Sequence, residues 1–173
     1  MFMLKNIALR KTVKKQIRGK NKEVKIGIVY FALFNITAFV LGFIKTPVGE
    51  VRCVSDLFAW IFGLVLLFFN VIISFASLVG LKDSWRVGVL EDQKTELISS
   101  GIYRFTRNPY FLSYLLMFLG YTVILQNIIL LALSVPGVLV IHKMIQKEEA
   151  YLYSVHGDDY VHYKNKVPRY LFR

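Results

Sequence analysis

The sequence predicts an all-α integral membrane protein with about four transmembrane helices, the last two a helical hairpin that leads into a cytoplasmic C-terminal helical tail. Three observations predict it. Ile26 to Ile44, Leu57 to Leu81 and Asn108 to His142 run 19, 25 and 35 residues without a formal charge. Hydrophobic residues make up 55 % of the 173 positions, and mean hydropathy is +0.50. The Lys and Arg residues that give a net charge of +11 fall outside the apolar runs. A chain this apolar cannot be disordered. A soluble basic nucleic-acid binder would space its apolar residues periodically instead of massing them in runs, so no nucleic-acid partner is expected. The length suits a single membrane domain over 1–173. Cys53 is the only cysteine, which excludes an intrachain disulfide and any C-x-x-C motif.

Residues 1–25 carry nine Lys/Arg against one acid. They read as a basic cytoplasmic arm beside anionic lipid. Its length, and the lack of a small-residue cleavage site after the apolar run, argue against a signal peptide. A hydrocarbon core of ~30 Å needs about 20 helical residues, so 26–44 and 57–81 are one span each. Trp60 and Trp85 flank the second span as interfacial anchors. Asn70, Ser74 and Ser77 share one face of it. Hydrogen bonding to a neighbouring helix is the ordinary reading, and the lining of a cofactor cavity is the sharper one.

The segment 82–108 is expected to be a cytoplasmic loop. The third run would be about 52 Å long as one helix, too long for one crossing. It reads as a hairpin over 109–143, with arms near 109–125 and 128–143 and a turn at Gln126-Asn127. Pro136-Gly137 offers a second break, and a crossing plus a re-entrant piece is the competing reading. The tail is 144–173. With four spans the basic segments all lie on one side, and the positive-inside bias makes that side, both termini included, cytoplasmic. An inner or plasma membrane is the expected location.

A hairpin brings its ends together, so Arg107-Asn108-Pro109 should meet Glu148-Glu149. Arg107 suits an anion, because guanidinium matches a carboxylate in bidentate fashion; anchoring to lipid phosphate is the plainer alternative. Pro109 suits a first helical turn and Asn108 a helix cap. Adjacent acids point about 100° apart on a helix, so at most one of Glu148 and Glu149 faces a pocket. Tyr160 and Tyr163 share a face at i,i+3, with His156 a turn earlier. His156 and His162 are candidate acid–base groups. No third metal ligand is evident, so no metal site is expected. Rossmann, Walker A, H-E-x-x-H and G-x-S-x-G motifs are absent.

Taken in order, Gly101, Tyr103, Arg107-Asn108-Pro109, Glu148-Glu149, Leu152, His156-Gly157, Tyr160, Tyr163 and Val167-Pro168-Arg169 form an ordered set with a hydrophobic hairpin in its middle. Over roughly 84–171 this set resembles the isoprenylcysteine carboxyl methyltransferase and phospholipid methyltransferase families. With Ser84-Trp85-Arg86 it is similar to a microbial branch carrying Arg-Asn-Pro. The resemblance implies an S-adenosylmethionine-dependent membrane methyltransferase whose cofactor sits among the last helices and the tail. The lipophilic small-molecule or lipidated acceptor would come from the membrane lipid. Carried over by motif, Arg107, Asn108, Glu148 and Glu149 belong to the cofactor pocket, and Tyr160, Tyr163 and Lys166-Val167-Pro168-Arg169 close it. Arg107 and Arg169 are the catalytic candidates, because either could hold the carboxylate of an acceptor. Asn108, Tyr103, Glu148, Glu149, Tyr160, Tyr163 and His156 are the cofactor-binding candidates. Asn108, Ser113 and His156 stand where the family usually has His, Gly and Phe. Carboxyl O-methylation of an isoprenylcysteine type is the leading expectation. Phospholipid N-methylation, a sterol-reductase-like NADPH enzyme and a non-enzymatic membrane protein are the alternatives.

Overall fold

The computed structural model describes residues 22–44, 47–81 and 96–171. Most of the basic arm and the stretch 82–95, with Trp85 and Ser84-Trp85-Arg86, lie outside the described residues. Among the described residues there are five α-helices: α1 Lys22–Ile44, α2 Asp56–Leu81, α3 Pro109–Leu125, α4 Ile128–His156 and α5 Asp158–Lys166, with a 3-10 turn at Gly101–Arg104 before α3. Three of them, over Lys25–Ile44, Asp56–Leu81 and Ile128–His156, are long and apolar enough to cross a membrane. At 17 residues α3 is apolar but shorter.

The hairpin turn forms where the sequence places it. Gln126 adopts a left-handed conformation (φ 42°) and stops α3. Asn127 then caps α4, its Oδ1 accepting from the Ile129 amide at 2.9 Å. The turn is stitched to the α1–α2 loop. Val51 N donates to the Gln126 carbonyl at 2.7 Å, Ile128 N to the Gly49 carbonyl at 2.8 Å, and the Cys53 and Val54 amides share Gln126 Oε1 at 3.1 Å each. The α1–α2 loop and the α3–α4 turn therefore occupy one end of the bundle. Gly101–Arg104 and α5 occupy the other.

The second arm differs from expectation. It does not stop near 143: α4 continues without a break through Glu149 to His156. Pro136-Gly137 does not interrupt it either. Pro136 sits inside the helix, and the Tyr30 hydroxyl of α1 donates to the Leu133 carbonyl in the same stretch.

Packing divides into two seams. Along α2–α3 the contact is made by small and polar residues. Ala59, Ser77 and Ser113 are fully buried. Gly63 and Gly120 face each other so closely that a Cβ on Gly63 would lie 2.9 Å from the Gly120 carbonyl. Such residues let membrane helices approach where apolar burial offers no driving force. Asn70 Nδ2 donates to the Ser113 carbonyl at 2.6 Å, and the Ser74 and Ser113 hydroxyls lie 2.8 Å apart. The ordinary reading of Asn70 and Ser74 thus holds. Ser77 instead bonds within its own helix, to the Ile73 carbonyl. The other seam joins α1 to α3 and α4 around Phe34, Phe118, Leu130, Ile141 and Ile145. Outward faces stay apolar, with Phe39, Leu57, Phe68 and Val71 among the most exposed, as a helix surrounded by lipid requires.

Candidate functional site

Glu149 is the centre of the end opposite the hairpin turn. The residue is 8 % exposed. Arg107 Nη2 lies 3.2 Å from Oε1, and the Asn108 amide donates to the same oxygen at 3.3 Å. Arg169 approaches from the tail, with Nε 3.2 Å from both oxygens and Nη2 2.8 Å from Oε2. The meeting of the two hairpin ends expected from topology is therefore made through Glu149. Glu148 is partly exposed, and its charge is felt by the Tyr103 and Tyr160 phenols.

Helix geometry explains how these groups reach one point. Pro109 starts α3 at N1, and its fixed φ suits that position. Asn108 is the N-cap, but its side chain makes no capping bond. It crosses to Glu149 and to the Arg169 carbonyl, 3.2 Å away. The plain cap expected at this position is thus replaced by a bridge between the arms.

The tail returns over the start of α3 as a strap. Gly157 (φ +50°) ends α4 and reverses the chain. As a result His156 is the last residue of α4, and Tyr160 and Tyr163 belong to α5, not to one continuous helix face with it. Tyr160, Tyr163 and Val167 form a small buried cluster with Leu97 and Leu152. The Tyr163 hydroxyl donates to the Tyr103 carbonyl at 2.6 Å. Beyond α5, the Arg107 amide donates to the Pro168 carbonyl at 3.0 Å and the Thr106 hydroxyl to the Arg169 carbonyl at 3.1 Å.

Tyr103 stands apart from the Glu149 group. Its ring packs over Gly80 of α2, and its hydroxyl is directed at the Ser77 carbonyl. Burial raises its phenol far above the usual range. Ser113 also turns away from Glu149, into the α2–α3 seam. Thr106 was not singled out by motif, yet it is 2 % exposed and holds both the Asn108 amide and the strap. A small hydroxyl residue three positions before a Pro-led helix start is placed to bond the N-cap residue's backbone N–H, which is the signal for such a role.

Four buried polar atoms have no hydrogen-bond partner among the described residues: Arg107 Nε and Nη1, Tyr160 OH and His156 Nε2. Such groups are costly to bury unsatisfied. Two guanidinium groups share Glu149, and the Glu148 charge also reaches Tyr160. Burial pushes the Tyr160 phenol up to about 12, with Glu149 adding to the rise, so at neutral pH it is a donor. Glu149 holds Arg169 firmly in its charged form. The arrangement can bind an anionic group and, through Glu149, a cationic or hydroxyl-bearing one.

A family model described as phospholipid methyltransferase matches residues 58–159, more than half of the chain. The match runs from the start of α2 into α5 and takes in Arg107, Asn108, Glu149 and His156, but ends before Tyr160, Tyr163 and Arg169. No curated protein gives a significant match to the chain.

Proposed function

The chain belongs to the phospholipid methyltransferase family of membrane methyltransferases, and from that premise we propose that it transfers a methyl group from S-adenosylmethionine to the carboxylate of a lipophilic acceptor in the bilayer. The observation that carries this reading is the set of buried, unpartnered donors on Arg107 and Tyr160 beside Glu149. They suit a ligand with both a carboxylate and an ammonium group, and S-adenosylmethionine has both, together with ribose hydroxyls. When bound, it supplies a methyl group already activated by the sulfonium.

The chain's own residues then have positional tasks, and positioning can supply much of a methyl transfer. Arg107 and Tyr160 donate to a carboxylate. The uncapped N-terminus of α3 favours negative charge at the same place. Glu149, held by Arg107, Asn108 and Arg169, accepts from an ammonium or a ribose hydroxyl. Arg169 and the tail cover the site. A carboxylate acceptor needs no base, and Glu149 is poorly suited to be one, because three side chains already donate to it.

One observation favours phospholipid N-methylation as a second reading. His156 shares the Glu149 face of α4 at i+7 spacing, and its buried Nε2 is free to take the proton that an amine acceptor must lose. In either case the proposed topology is four spans, over 26–44, 57–81 and the two arms of the hairpin. The loop 82–108, the tail 144–173, the basic arm 1–25 and the site would be cytoplasmic, in an inner or plasma membrane.

The test is calorimetry of S-adenosylmethionine on detergent-purified protein, with NADPH in parallel and Glu149→Gln as the control. Saturable binding of the first alone, weakened in the variant, is the expected result. NADPH binding instead, or neither, would overturn the proposal. Carboxyl against phosphatidylethanolamine acceptors then separates the two readings.

A further inference from the structure

Arg169 and Tyr170 are successive residues of the strap, and they reach α4 at two points on one face. Arg169 meets Glu149. The Tyr170 hydroxyl lies 3.0 Å from His142 Nδ1, with the two rings stacked at 27°. His142 and Glu149 are seven residues apart, about two helical turns. Gln146, between them, places its amide nitrogen 3.0 Å from His142 Nε2. Both ring nitrogens of His142 are thus engaged, Nδ1 by the Tyr170 hydroxyl and Nε2 by the Gln146 amide. The Tyr170 ring also packs against the core between α1, α3 and α4.

The remaining strap contacts are distributed differently. Pro168 and Arg169 are held through their carbonyls by Thr106, Arg107 and Asn108, all at the start of α3. The side chain of Arg169, one-third exposed, ties the strap to α4 at Glu149. The Arg169 fork on Glu149 is a single point of attachment on a long side chain, and one point leaves the strap free to pivot about it. The geometry points to Tyr170 and His142 as positioning residues: their contact fixes the strap on α4 in the register that seats the Arg169 fork on Glu149. They touch neither the acceptor nor the cofactor. The strap lies beyond the family match, which ends at 159, and is held by the chain's own contacts. Its effect on the cofactor rests on the proposed binding of S-adenosylmethionine at Glu149.

Tyr170→Phe keeps the ring and removes the hydroxyl. His142→Leu removes the partner from the other side. Trypsin can cut after Arg169, and intact mass reads the loss of residues 170–173. Each variant should speed that cut about fivefold, the scale of one lost hydrogen bond. Each should weaken S-adenosylmethionine binding by a similar factor, while the melting temperature falls by no more than the few degrees that one lost hydrogen bond accounts for. The double variant should match the single ones, since both remove one contact. An unchanged cleavage rate in both variants would overturn the latch. Faster cleavage with unchanged affinity would overturn its positioning role. A wild-type protein that binds no S-adenosylmethionine counts against the methyltransferase reading, and the cleavage rate still decides the latch.

Discussion

The side-chain amide of Asn108 donates to Glu149 Oε1 across 3.3 Å, although the two residues are 41 positions apart in sequence. An asparagine at a helix start ordinarily accepts from its own first turn. Here the donor end faces a carboxylate already engaged by two guanidinium groups, and the same nitrogen also reaches the Arg169 carbonyl. Asn108 therefore joins the start of α3, the far arm of the hairpin and the returning tail. Thr106 supports it from below by accepting its backbone N–H at 3.3 Å.

Glu149→Gln keeps the shape and removes the charge that Arg107 and Arg169 share. The Arg107 side chain is only 7 % exposed, so its guanidinium would be left buried without a counter-ion. Breaking a buried pair in this way costs about 3 kcal/mol or more. We expect a clear fall in the denaturation midpoint in mixed micelles, together with lost S-adenosylmethionine affinity. A variant as stable as the wild type would show that the pair is not effectively buried.

At Asn108 the sign of the charge should matter more than the loss of bonds. Asn108→Ala gives up two hydrogen bonds from a site 6 % exposed, at about 1–2 kcal/mol. Asn108→Asp has a similar shape but sets a second carboxylate against Glu149. It also replaces a donor to the Arg169 carbonyl by an acceptor. Asp should therefore be the less stable variant at pH 8, with the gap closing as pH falls and the new carboxyl is protonated. Denaturation midpoints for both variants at pH 5 and pH 8 check this. Equal midpoints at pH 8 would contradict it.

The turn at Gln126-Asn127 and the meeting of Asn108 with Glu149 were legible because they follow from the length of one charge-free run. The true end of α4 was not. Lys143, Lys147, Glu148 and Glu149 mark where apolarity stops, yet Lys and Glu are good helix formers, and the helix continues through them to His156. Gly157 is the residue type that ends helices, which makes the separation of His156 from Tyr160 readable in retrospect. That the tail closes the site was implied by the resemblance, but how it is attached was not. It is held at the Pro168 and Arg169 carbonyls, and a backbone acceptor leaves no mark on the side-chain sequence.

Gly63 should tolerate no side chain of any size. A Cβ there would lie 2.3 Å from Ile124 Cγ1 and 2.9 Å from the Gly120 carbonyl. The first contact could yield by rotation, but the second is backbone of a packed helix. Gly63→Leu must therefore push α2 from α3, which costs about 1–3 kcal/mol and pulls Asn70 and Ser74 off Ser113. Gly42→Ala meets only the Leu125 side chain at 3.4 Å and should be nearly neutral. Thermal melts of the two variants, side by side, test the contrast; a stable Gly63→Leu would mean that the seam is not closed.

Tyr160 sets an alkaline limit. Burial, reinforced by Glu149, pushes its phenol up to about 12, against about 10 when unfolded. Below pH 10 both states keep the proton and the stabilisation is fully present. Between pH 10 and about 12 the unfolded chain ionises while the native one does not, so stability falls with rising pH. Tyr163 and Tyr103 are raised for the same reason and act in the same direction. Stability should thus be free of tyrosine effects from pH 7 to 9 and decline above 10, with Tyr160→Phe declining less steeply. Absorbance of tyrosinate near 295 nm, followed with the melting temperature across that range, separates the cases. A native Tyr160 that ionised normally near 10 would mean that its hydroxyl is open to water and unavailable as a buried donor.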